Sequence, residues 1–474
     1  MAGYHSTMLN RTPVTLLARK AEIHQLMLLA WPIMIAQIAQ NSMGFVDTLM
    51  SARAGSEDLA AIALGTSLWI PVYLAFSGIL MAVTPTVAHL VGGKKDVETP
   101  GIFQQGIWLA FLLGIISFWL LQNTDPLLSL LSLEESLQDK TRRYLEAISW
   151  GFPALMLYQT IRGFSEGFGK TRAIMKIALL ALAFNIPLNY VFIFGKFGLP
   201  AMGGVGCGWA SAIVMWIMFF TGVTYSRMSS VFKPLPLWRP WHRPQIVSLI
   251  QLLRLGTPIG IALLIEASMF SVIALLLAPF GEVTLAAHQI TISYTGMVFM
   301  IPLSIAMALT IRVGQLQGSG NNPQARFAAM TGIGFTLMIA LITTLLTILL
   351  AQHIARLYID DVEIASLAVL LLMIAALFQF SDALQVSAAG ALRGYKDTFI
   401  PLLLVFVSFW VIGLPAGYLL GLTDVFRPAM GAAGFWYGLL IGLSVGAVML
   451  MTRLNRVSKN AQSLSHSTVI DNDP

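Results

Sequence analysis

Residues Ile79 to Gly92 read ILMAVTPTVAHLVG, and residues Ile305 to Gly318, 226 positions later, read IAMALTIRVGQLQG. Seven of these fourteen positions are identical, whereas about one or two identities are expected by chance in apolar sequence, so the match indicates an internal repeat. The same offset places LAWPIMIA at Leu29 to Ala36 over LGTPIGIA at Leu255 to Ala262, with five of eight positions identical. The chain is therefore predicted to be a tandem duplication.

The composition predicts that both copies lie in a membrane. Of the 474 residues, 57% are hydrophobic and 11% are charged, and the mean hydropathy is +0.78. Soluble domains carry about 25% charged residues. A chain with so few charges cannot cover a water-facing surface of its size, so most of its outer surface must contact lipid. This excludes a soluble globular protein.

Long charge-free runs predict twelve transmembrane helices, since a bilayer core needs about 20 apolar residues per helix. Three of the predicted helices are less clear: Ala147 to Ile161 is short, and the runs near Leu255 to Phe280 and Ile364 to Leu392 each contain one acid. The nine clear runs are Leu26–Val46, Leu59–Val91, Gly101–Thr124, Ile177–Gly195, Phe197–Ser226, Val283–Ile311, Phe327–Ala355, Thr398–Thr423 and Pro428–Thr452. Continuous apolar runs of this kind exclude a membrane β-barrel, whose strands alternate over about 10 residues.

The repeat and the helix count together define an all-α polytopic membrane protein built from two six-helix lobes. Because six helices return the chain to its starting side, the lobes should be related by a pseudo-twofold axis along the membrane normal. The predicted segments are an N-terminal segment (1–25), an N-lobe (26–226), a basic, Pro-rich linker (227–247), a C-lobe (248–452) and a polar tail (453–474). Such an architecture is typical of alternating-access carriers.

The distribution of Lys and Arg predicts the orientation, because these residues are enriched in cytoplasmic loops. In the twelve-helix arrangement 21 of the 28 basic residues, among them Arg11, Arg162 and Arg393, fall on the side of both termini, and seven fall on the other side. Both termini are therefore predicted to be cytoplasmic. The net charge of +6 then reflects a basic cytoplasmic face and gives no reason to expect nucleic-acid binding. The glycosylation sequon Asn10-Arg11-Thr12 would lie on this same side, where it has no meaning.

Three carboxylates fall inside predicted helices: Asp47, Glu266 and Asp382. Each costs about 2.5–3.5 kcal/mol at the centre of a membrane helix, so such groups usually face a cavity or a partner. We expect no Lys or Arg within the spans to be placed to neutralise them. They are therefore candidates for carrying a proton or binding a small cation. The alternative is a purely structural acid held by neighbouring hydroxyls or amides.

Further polar residues predict a substrate cavity. In the first helix a polar stripe covers an arc of about 120° at 100° per residue, and Asn185 and Asn189 share one face of the fifth helix, because residues four apart are neighbours. The candidate cavity residues are Asp47, Gln37, Asn41, Asn185, Asn189, Gln289 and Gln379. The alternative is a seam of interhelical hydrogen bonds, for which small and polar faces are equally suited.

The stretch Phe164 to Thr171, FSEGFGKT, is similar to a phosphate-binding P-loop. It has Phe164 where the first glycine is required, and no strand precedes it. An ATP-driven pump is therefore unsupported. Arg162, Glu166 and Lys170 are instead spaced as i, i+4 pairs at a helix end.

Four passages together resemble the multidrug and toxic compound extrusion (MATE) family, in its NorM-like bacterial branch. They are AWPIMIAQIAQNSMGFVDTLM at Ala30 to Met50, DLAAIALG at Asp58 to Gly65, LAAHQI at Leu285 to Ile290 and AAGALRGYKDT at Ala388 to Thr398. The resemblance covers about Glu22 to Arg453. It implies a multidrug exporter that expels amphipathic organic cations, dyes and fluoroquinolone-type drugs by antiport with Na⁺ or H⁺, and that needs no other cofactor.

The resemblance also implies roles for individual residues. The family's N-lobe acid matches Asp47, its C-lobe acids match Glu266 and Asp382, and its asparagine pair matches Asn185 and Asn189. Glu266 and Asp382 would bind the coupling ion, as metal ligands if that ion is Na⁺, and Asp47 would attract the cationic drug or exchange a proton. We expect a functional monomer in the bacterial inner membrane, with cationic drugs and the bilayer as its partners.

Three alternatives receive less support from the sequence. A carrier of the major-facilitator type should have a DRxGR-like loop after the second helix, where this chain has GGKKDVETP at Gly92 to Pro100. A lipid-precursor flippase should have a cationic central cavity, whereas the predicted buried charges are acidic. A membrane enzyme would need a metal-ligand cluster or an activated nucleophile in the spans, and none is apparent in the sequence.

Overall fold

The computed structural model describes residues 16–130, 134–425 and 428–470, with side chains up to residue 463. The sequon Asn10-Arg11-Thr12 and the counted cations Arg11 and Arg427 lie outside the described residues. Within the described part, the N-terminal half forms α1 (Leu16–Ala54), α2 (Ser56–Leu80), α3 (Val83–Gly92), α4 (Thr99–Gln122), α5 (Asp125–Ser129), α6 (Glu135–Ser149), α7 (Phe152–Gly167), α8 (Thr171–Phe194) and α9 (Gly204–Met228).

The C-terminal half has the same plan with fewer breaks. Its helices are α10 (Ile246–Leu277), α11 (Glu282–Gly318), α12 (Asn322–Tyr358), α13 (Val362–Gly394), α14 (Phe399–Phe406), α15 (Leu414–Leu422) and α16 (Ala432–Ile470). A π-helical segment, Val407–Gly413, joins α14 to α15. The predicted polar tail is thus helical as far as Ile470.

Eleven helical segments of the described chain are long and apolar enough to cross a membrane. The twelfth predicted span, Ala147 to Ile161, corresponds to α6 and α7, which Trp150 and Gly151 separate. Here α7 extends through Gly167, six residues beyond the predicted end. Counting α6–α7 as one span gives the twelve helices of the predicted all-α fold.

The start of α1 and the end of α16 lie on the same face of the bundle, as an even number of spans requires. Near the start of α1, Glu22 Oε1 lies 2.7 Å from Arg312 Nε, near the end of α11. The amide of Asn322, at the start of α12, donates to the carbonyl of Ala461 in the last turns of α16 (2.6 Å). We call this side, where α1 begins and α16 ends, the terminal face.

The two lobes cross on the terminal face through a pair of contacts that the repeat relates to each other. A Cβ on Gly92 would lie 1.8 Å from the carbonyl oxygen of Gln315, and a Cβ on Gly318 would lie 1.9 Å from that of His89. The offset of 226 residues converts one contact into the other. The ends of α3 and α11 therefore touch backbone to backbone on the pseudo-twofold axis, which only glycine permits.

Hydrogen bonds between the lobes reinforce this crossing. His89 Nε2 lies 2.8 Å from the carbonyl oxygen of Gly394, and the Gln315 amide donates to that of Gly167 at 3.0 Å. Farther along, Gly256 and Gly260 of α10 pack against the backbone of α2. The lobes thus meet through their terminal halves, and the terminal face is closed in this structure.

Candidate functional site

Asp47, near the far end of α1, accepts three hydrogen bonds from neighbouring helices. Its Oδ1 accepts from the amides of Asn185 (2.9 Å) and Asn189 (2.6 Å) on α8, and its Oδ2 accepts from the hydroxyl of Ser211 on α9 (3.1 Å). Both asparagines are buried, and their amide oxygens have no hydrogen-bond partner among the described residues. The structure therefore joins three predicted site residues into one oxygen-rich cluster.

This cluster lies at the wall of a central cavity of about 520 Å³. Of the predicted cavity residues, Gln37, Asn41, Asp47 and Asn185 line it. The C-lobe closes part of the cavity with side chains of α10, α11 and α13. The volume is in the range of small-molecule sites, which are about 300–1,000 Å³.

Three aromatic and six sulfur-containing side chains also line the cavity. Trp69 donates its indole N–H to the Tyr144 hydroxyl (3.2 Å), and Gln159 donates to the Tyr73 hydroxyl (2.9 Å). Six of the 23 methionines also line the cavity: Met43, Met81, Met215, Met218, Met300 and Met307. Aromatic faces attract cations, and methionine adapts to differently shaped ligands.

Arg162, counted as a loop residue, is instead a basic side chain inside the helix bundle. This residue is buried in α7, where its Nε lies 2.8 Å from Glu166 Oε1 and its Nη2 donates to Gln37 (3.0 Å). The prediction placed it in a terminal-side loop because the charge itself was taken to end the helix. Glu166 is consequently a fourth membrane carboxylate, and it lines the cavity as a paired group.

The C-lobe acids have a different environment. Asp382, on α13, is buried, yet it forms no hydrogen bond or ion pair with the described residues. Beside it lies a space of about 10 Å³, lined also by Gln379 and by threonines of α11 and α12, and a space of about 10–15 Å³ holds one water-sized particle. Gln379 donates to Thr347 Oγ1 (3.2 Å), which leaves its own amide oxygen unpartnered.

Glu266, on α10, belongs to the same charged group. It is close enough to both Asp382 and Arg393 for Coulombic interaction, and it forms no contact ion pair with either. Arg393, predicted to lie in a loop, instead occupies the last turn of α13 and lines the central cavity. A cation that was not predicted there therefore lies near Glu266, without a contact pair between the two.

Three predicted cavity residues lie apart from the wall of the central cavity, and one of them, Gln379, lines the space beside Asp382 instead. Asn189 contacts the site only through Asp47, and Gln289 is exposed on α11, away from both the central cavity and the space beside Asp382. The neighbouring His288 is buried and accepts from the indole N–H of Trp436 (3.2 Å), a structural contact.

Comparison with known proteins gives consistent matches over the whole architecture. The sequence profile of the MatE family matches residues 32–191 and 258–419, one stretch in each lobe. "Multidrug resistance protein NorM" of Aliivibrio fischeri is 42% identical over 93% of this chain and 95% of its own. "Multidrug resistance protein PmpM" of Pseudomonas aeruginosa is 44% identical over 93% and 92%.

Solved structures agree in fold. A MATE protein crystallised "in the bent conformation" superposes with a TM-score of 0.85 at 19% identity, covering 95% of this chain and 98% of that one. The eukaryotic MATE transporter AtDTX14 superposes with a TM-score of 0.83 at 19% identity, covering 94% and 99%. The two-lobed helical architecture is therefore shared across large sequence distances.

Proposed function

Because this chain belongs to the MATE family, we propose that it is a secondary multidrug exporter that expels amphipathic organic cations in exchange for inward Na⁺ or H⁺. The observation that supports this most directly is the contrast between the lobes. The central cavity is drug-sized and is lined by Asp47, the hydrogen-bonded carboxylate of the N-lobe. The C-lobe carries Asp382 beside an ion-sized space, with Glu266 near it, and neither acid has a hydrogen-bond partner among the described residues. One site suits a drug and the other suits an ion.

In the proposed cycle Glu266 and Asp382 bind the coupling ion. Hard cations such as Na⁺ prefer oxygen ligands, and the free amide oxygen of Gln379 adds one beside the two carboxylates. A proton on either acid would serve equally. A charge buried in a membrane is costly, so an ion that neutralises these acids stabilises the compact C-lobe. Arg393 lines the drug cavity, so a change in the charge of the acids near it also changes the electrostatic environment of the drug.

The drug binds in the central cavity between the two lobes. Trp69 and Tyr73 offer aromatic faces to a flat cation, and Asp47 contributes a negative charge at the edge of the site. The coupling ion and the drug favour opposite states of the transporter, so binding of one weakens binding of the other. No further cofactor takes part in the cycle.

We further propose that the terminal face is cytoplasmic, that the protein resides in the bacterial inner membrane and that the monomer is the working unit. The basic loops of this face support the orientation, because Lys and Arg are retained in the cytoplasm. With the cytoplasmic side closed, the present conformation would correspond to the outward-directed half of the cycle.

Ethidium efflux from proteoliposomes tests this function. Vesicles are energised by a Na⁺ gradient alone and, separately, by a pH gradient alone. We expect one of the two to drive efflux in the wild type, and neither to do so in the Glu266→Gln/Asp382→Asn double variant. Glu363→Gln, which removes an exposed acid from the same helix as Asp382, is the matched control and should behave as wild type. Wild-type efflux from the double variant contradicts the proposed coupling site.

A further inference from the structure

A second cavity, of about 880 Å³, opens at the terminal face and lies outside the transport site described above. The N-lobe contributes the starts of α1 and α8 and the end of α9, and the C-lobe contributes the end of α11. The cavity therefore spans the junction of the two lobes at the face where these membrane-length helices begin and end.

The charge lining this cavity is of one sign. Lys170, Arg172, Lys176 and Arg312 line it, and no acidic side chain does. Arg312 is neutralised by its ion pair with Glu22. The other three cations make no ion pair and no side-chain hydrogen bond with any described residue, which leaves three uncompensated positive charges around one space.

The first turn of α8, Thr171 to Ala173, lines the same space. Backbone donors at a helix start have no intrahelical partner and form a ready anion site. No side chain caps this helix. Thr171 lines the cavity, is only 1% exposed, and its hydroxyl has no hydrogen-bond partner in the described part of the chain. The Gly-Lys-Thr sequence that is similar to a P-loop thus supplies an anion site at a helix start, without the strand that nucleotide binding requires.

Four aliphatic side chains also line the wall. Leu28, Leu29, Ile177 and Leu180 lie beside the cations, and Leu28 and Leu180 are exposed. A free phosphate would leave these side chains uncovered, whereas a phospholipid would place its headgroup among the cations and its acyl chains along the leucines. We propose that this cavity binds the phosphate of an anionic phospholipid from the leaflet on the terminal face.

The repeat provides an internal comparison. The offset of 226 residues places Lys396 at the position of Lys170 and Asp397 at that of Thr171. Asp397 is held by an ion pair with Arg453 (2.7 Å). The C-lobe position therefore presents a paired carboxylate, which can only accept hydrogen bonds, where the N-lobe position presents a hydroxyl that can donate one to an anion.

The bound lipid would also favour one conformation. Its phosphate would contact cations of α8 in the N-lobe while Arg312 and Gln315 of α11 close the same space from the C-lobe. Gln315 is one of the side chains that hydrogen-bond across the two lobes. A ligand that bridges both lobes binds only while they touch, so it stabilises the state with a closed terminal face.

Thermal unfolding of the full chain in neutral detergent, titrated with phosphatidylglycerol, tests the site. Phosphatidylcholine is the zwitterionic comparison and inorganic phosphate the free-anion comparison. Two variants remove two charges each from the terminal face: Lys170→Gln/Arg172→Gln in the N-lobe cavity and Lys396→Gln/Arg254→Gln in a C-lobe cavity of the same face. We expect phosphatidylglycerol to stabilise the wild type and the N-lobe variant to bind it about 30-fold more weakly, while the C-lobe variant stays within about twofold.

Three results would overturn the proposal. Equal weakening of phosphatidylglycerol binding in both double variants would mean general attraction of the lipid to a basic face. Equal stabilisation by phosphatidylcholine would mean that binding does not depend on the net negative charge of the headgroup. Displacement of phosphatidylglycerol by an equal concentration of inorganic phosphate would assign the site to a free anion. If the N-lobe double variant does not fold, Arg172→Glu at an exposed position makes the same test and should also weaken binding about 30-fold.

Discussion

Adding one methyl group to Gly318 tests whether contact between the lobes at the terminal face determines the conformation of the transporter. A Cβ at this position would lie 1.9 Å from the carbonyl oxygen of His89. Ordinary contact needs about 3.4 Å, and overpacking of this kind typically costs about 1–3 kcal/mol. Because the obstructing atom belongs to the backbone, a side-chain rotation cannot relieve the clash, and α3 and α11 must move apart by about 1.5 Å.

The cost falls only on the state in which the terminal face is closed. In Gly318→Ala the equilibrium between closed and open terminal faces should therefore shift by about 5- to 150-fold toward the open state. Gly92→Ala, its partner in the repeat, should produce a shift of the same size, since its Cβ would lie 1.8 Å from the carbonyl oxygen of Gln315.

Pulsed electron paramagnetic resonance on spin-labelled protein measures this shift. The one native cysteine, Cys207, is buried, so background labelling is small. One label pair at exposed positions of the terminal face, Val97 and Lys459, reports on closure there, and a second pair, Arg53 and Glu282, reports on the opposite face. The first distance should lengthen in the variant and the second should shorten.

Gly334→Ala is the matched control, because the space around that α12 glycine holds no other atom within 4 Å. It should leave both distance distributions as in the wild type. Unchanged distances in both Gly318→Ala and Gly92→Ala would refute the reasoning, because the crossing would then tolerate the added methyl groups without any rearrangement of the lobes.

Three further predictions concern the cavity. Arg162→Ala leaves Glu166 buried without its partner and should destabilise the protein by about 3–5 kcal/mol, measured by thermal unfolding; a loss below about 1 kcal/mol would contradict the buried pair. Asn189→Leu removes the 2.6 Å hydrogen bond to Asp47 and should lower ethidium efflux about 10- to 150-fold, the value of a hydrogen bond to a charged group; unchanged efflux would separate this asparagine from function. Trp69→Ala should weaken binding of a flat aromatic cation about 5- to 30-fold through loss of a cation–π contact, with fluorescence titration as the assay; equal affinity would exclude the indole from the drug site.

The sequence was sufficient for the fold because its signals are long and additive. Apolar runs of about 20 residues have few other interpretations in a chain with 11% charged residues. The repeat predicted two lobes, and the structure places Gly92 and Gly318 as equivalent residues on the axis between them. The break between α6 and α7 could not be predicted, because Trp150 and Gly151 are both common within membrane helices.

The site was only partly predictable, because the spacing of residues in the sequence shows which of them share a face of a helix but not which other helix packs against that face. The spacing of Asn185 and Asn189 predicted a shared face, and only the packing of α1 against α8 reveals that Asp47 accepts from both. Gln289 is the opposite case. Its polarity suggested that it lines the cavity, but it lies on an exposed face of α11, away from the cavity.

Buried charge was the feature most easily misread from sequence. Arg162 ended its predicted helix because charged residues usually mark loops, and its pairing with Glu166 inside the protein removes that penalty. A clue was present in the i, i+4 spacing of the two residues. Its meaning depends on which face of α7 is turned to the protein interior, and that is a property of tertiary packing.

Equilibrium binding of tetraphenylphosphonium, a lipophilic cation, to the purified protein tests the central claim that drug and coupling ion are antagonists acting through the C-lobe acids. Coupling energies between two sites typically correspond to about 5- to 150-fold changes in affinity. The wild type should therefore bind the cation at least about 5-fold more weakly when Na⁺ is added or the pH is lowered, and the Glu266→Gln/Asp382→Asn variant should bind with the same affinity under all conditions. An equal weakening by the ion in the wild type and in the double variant would contradict the account.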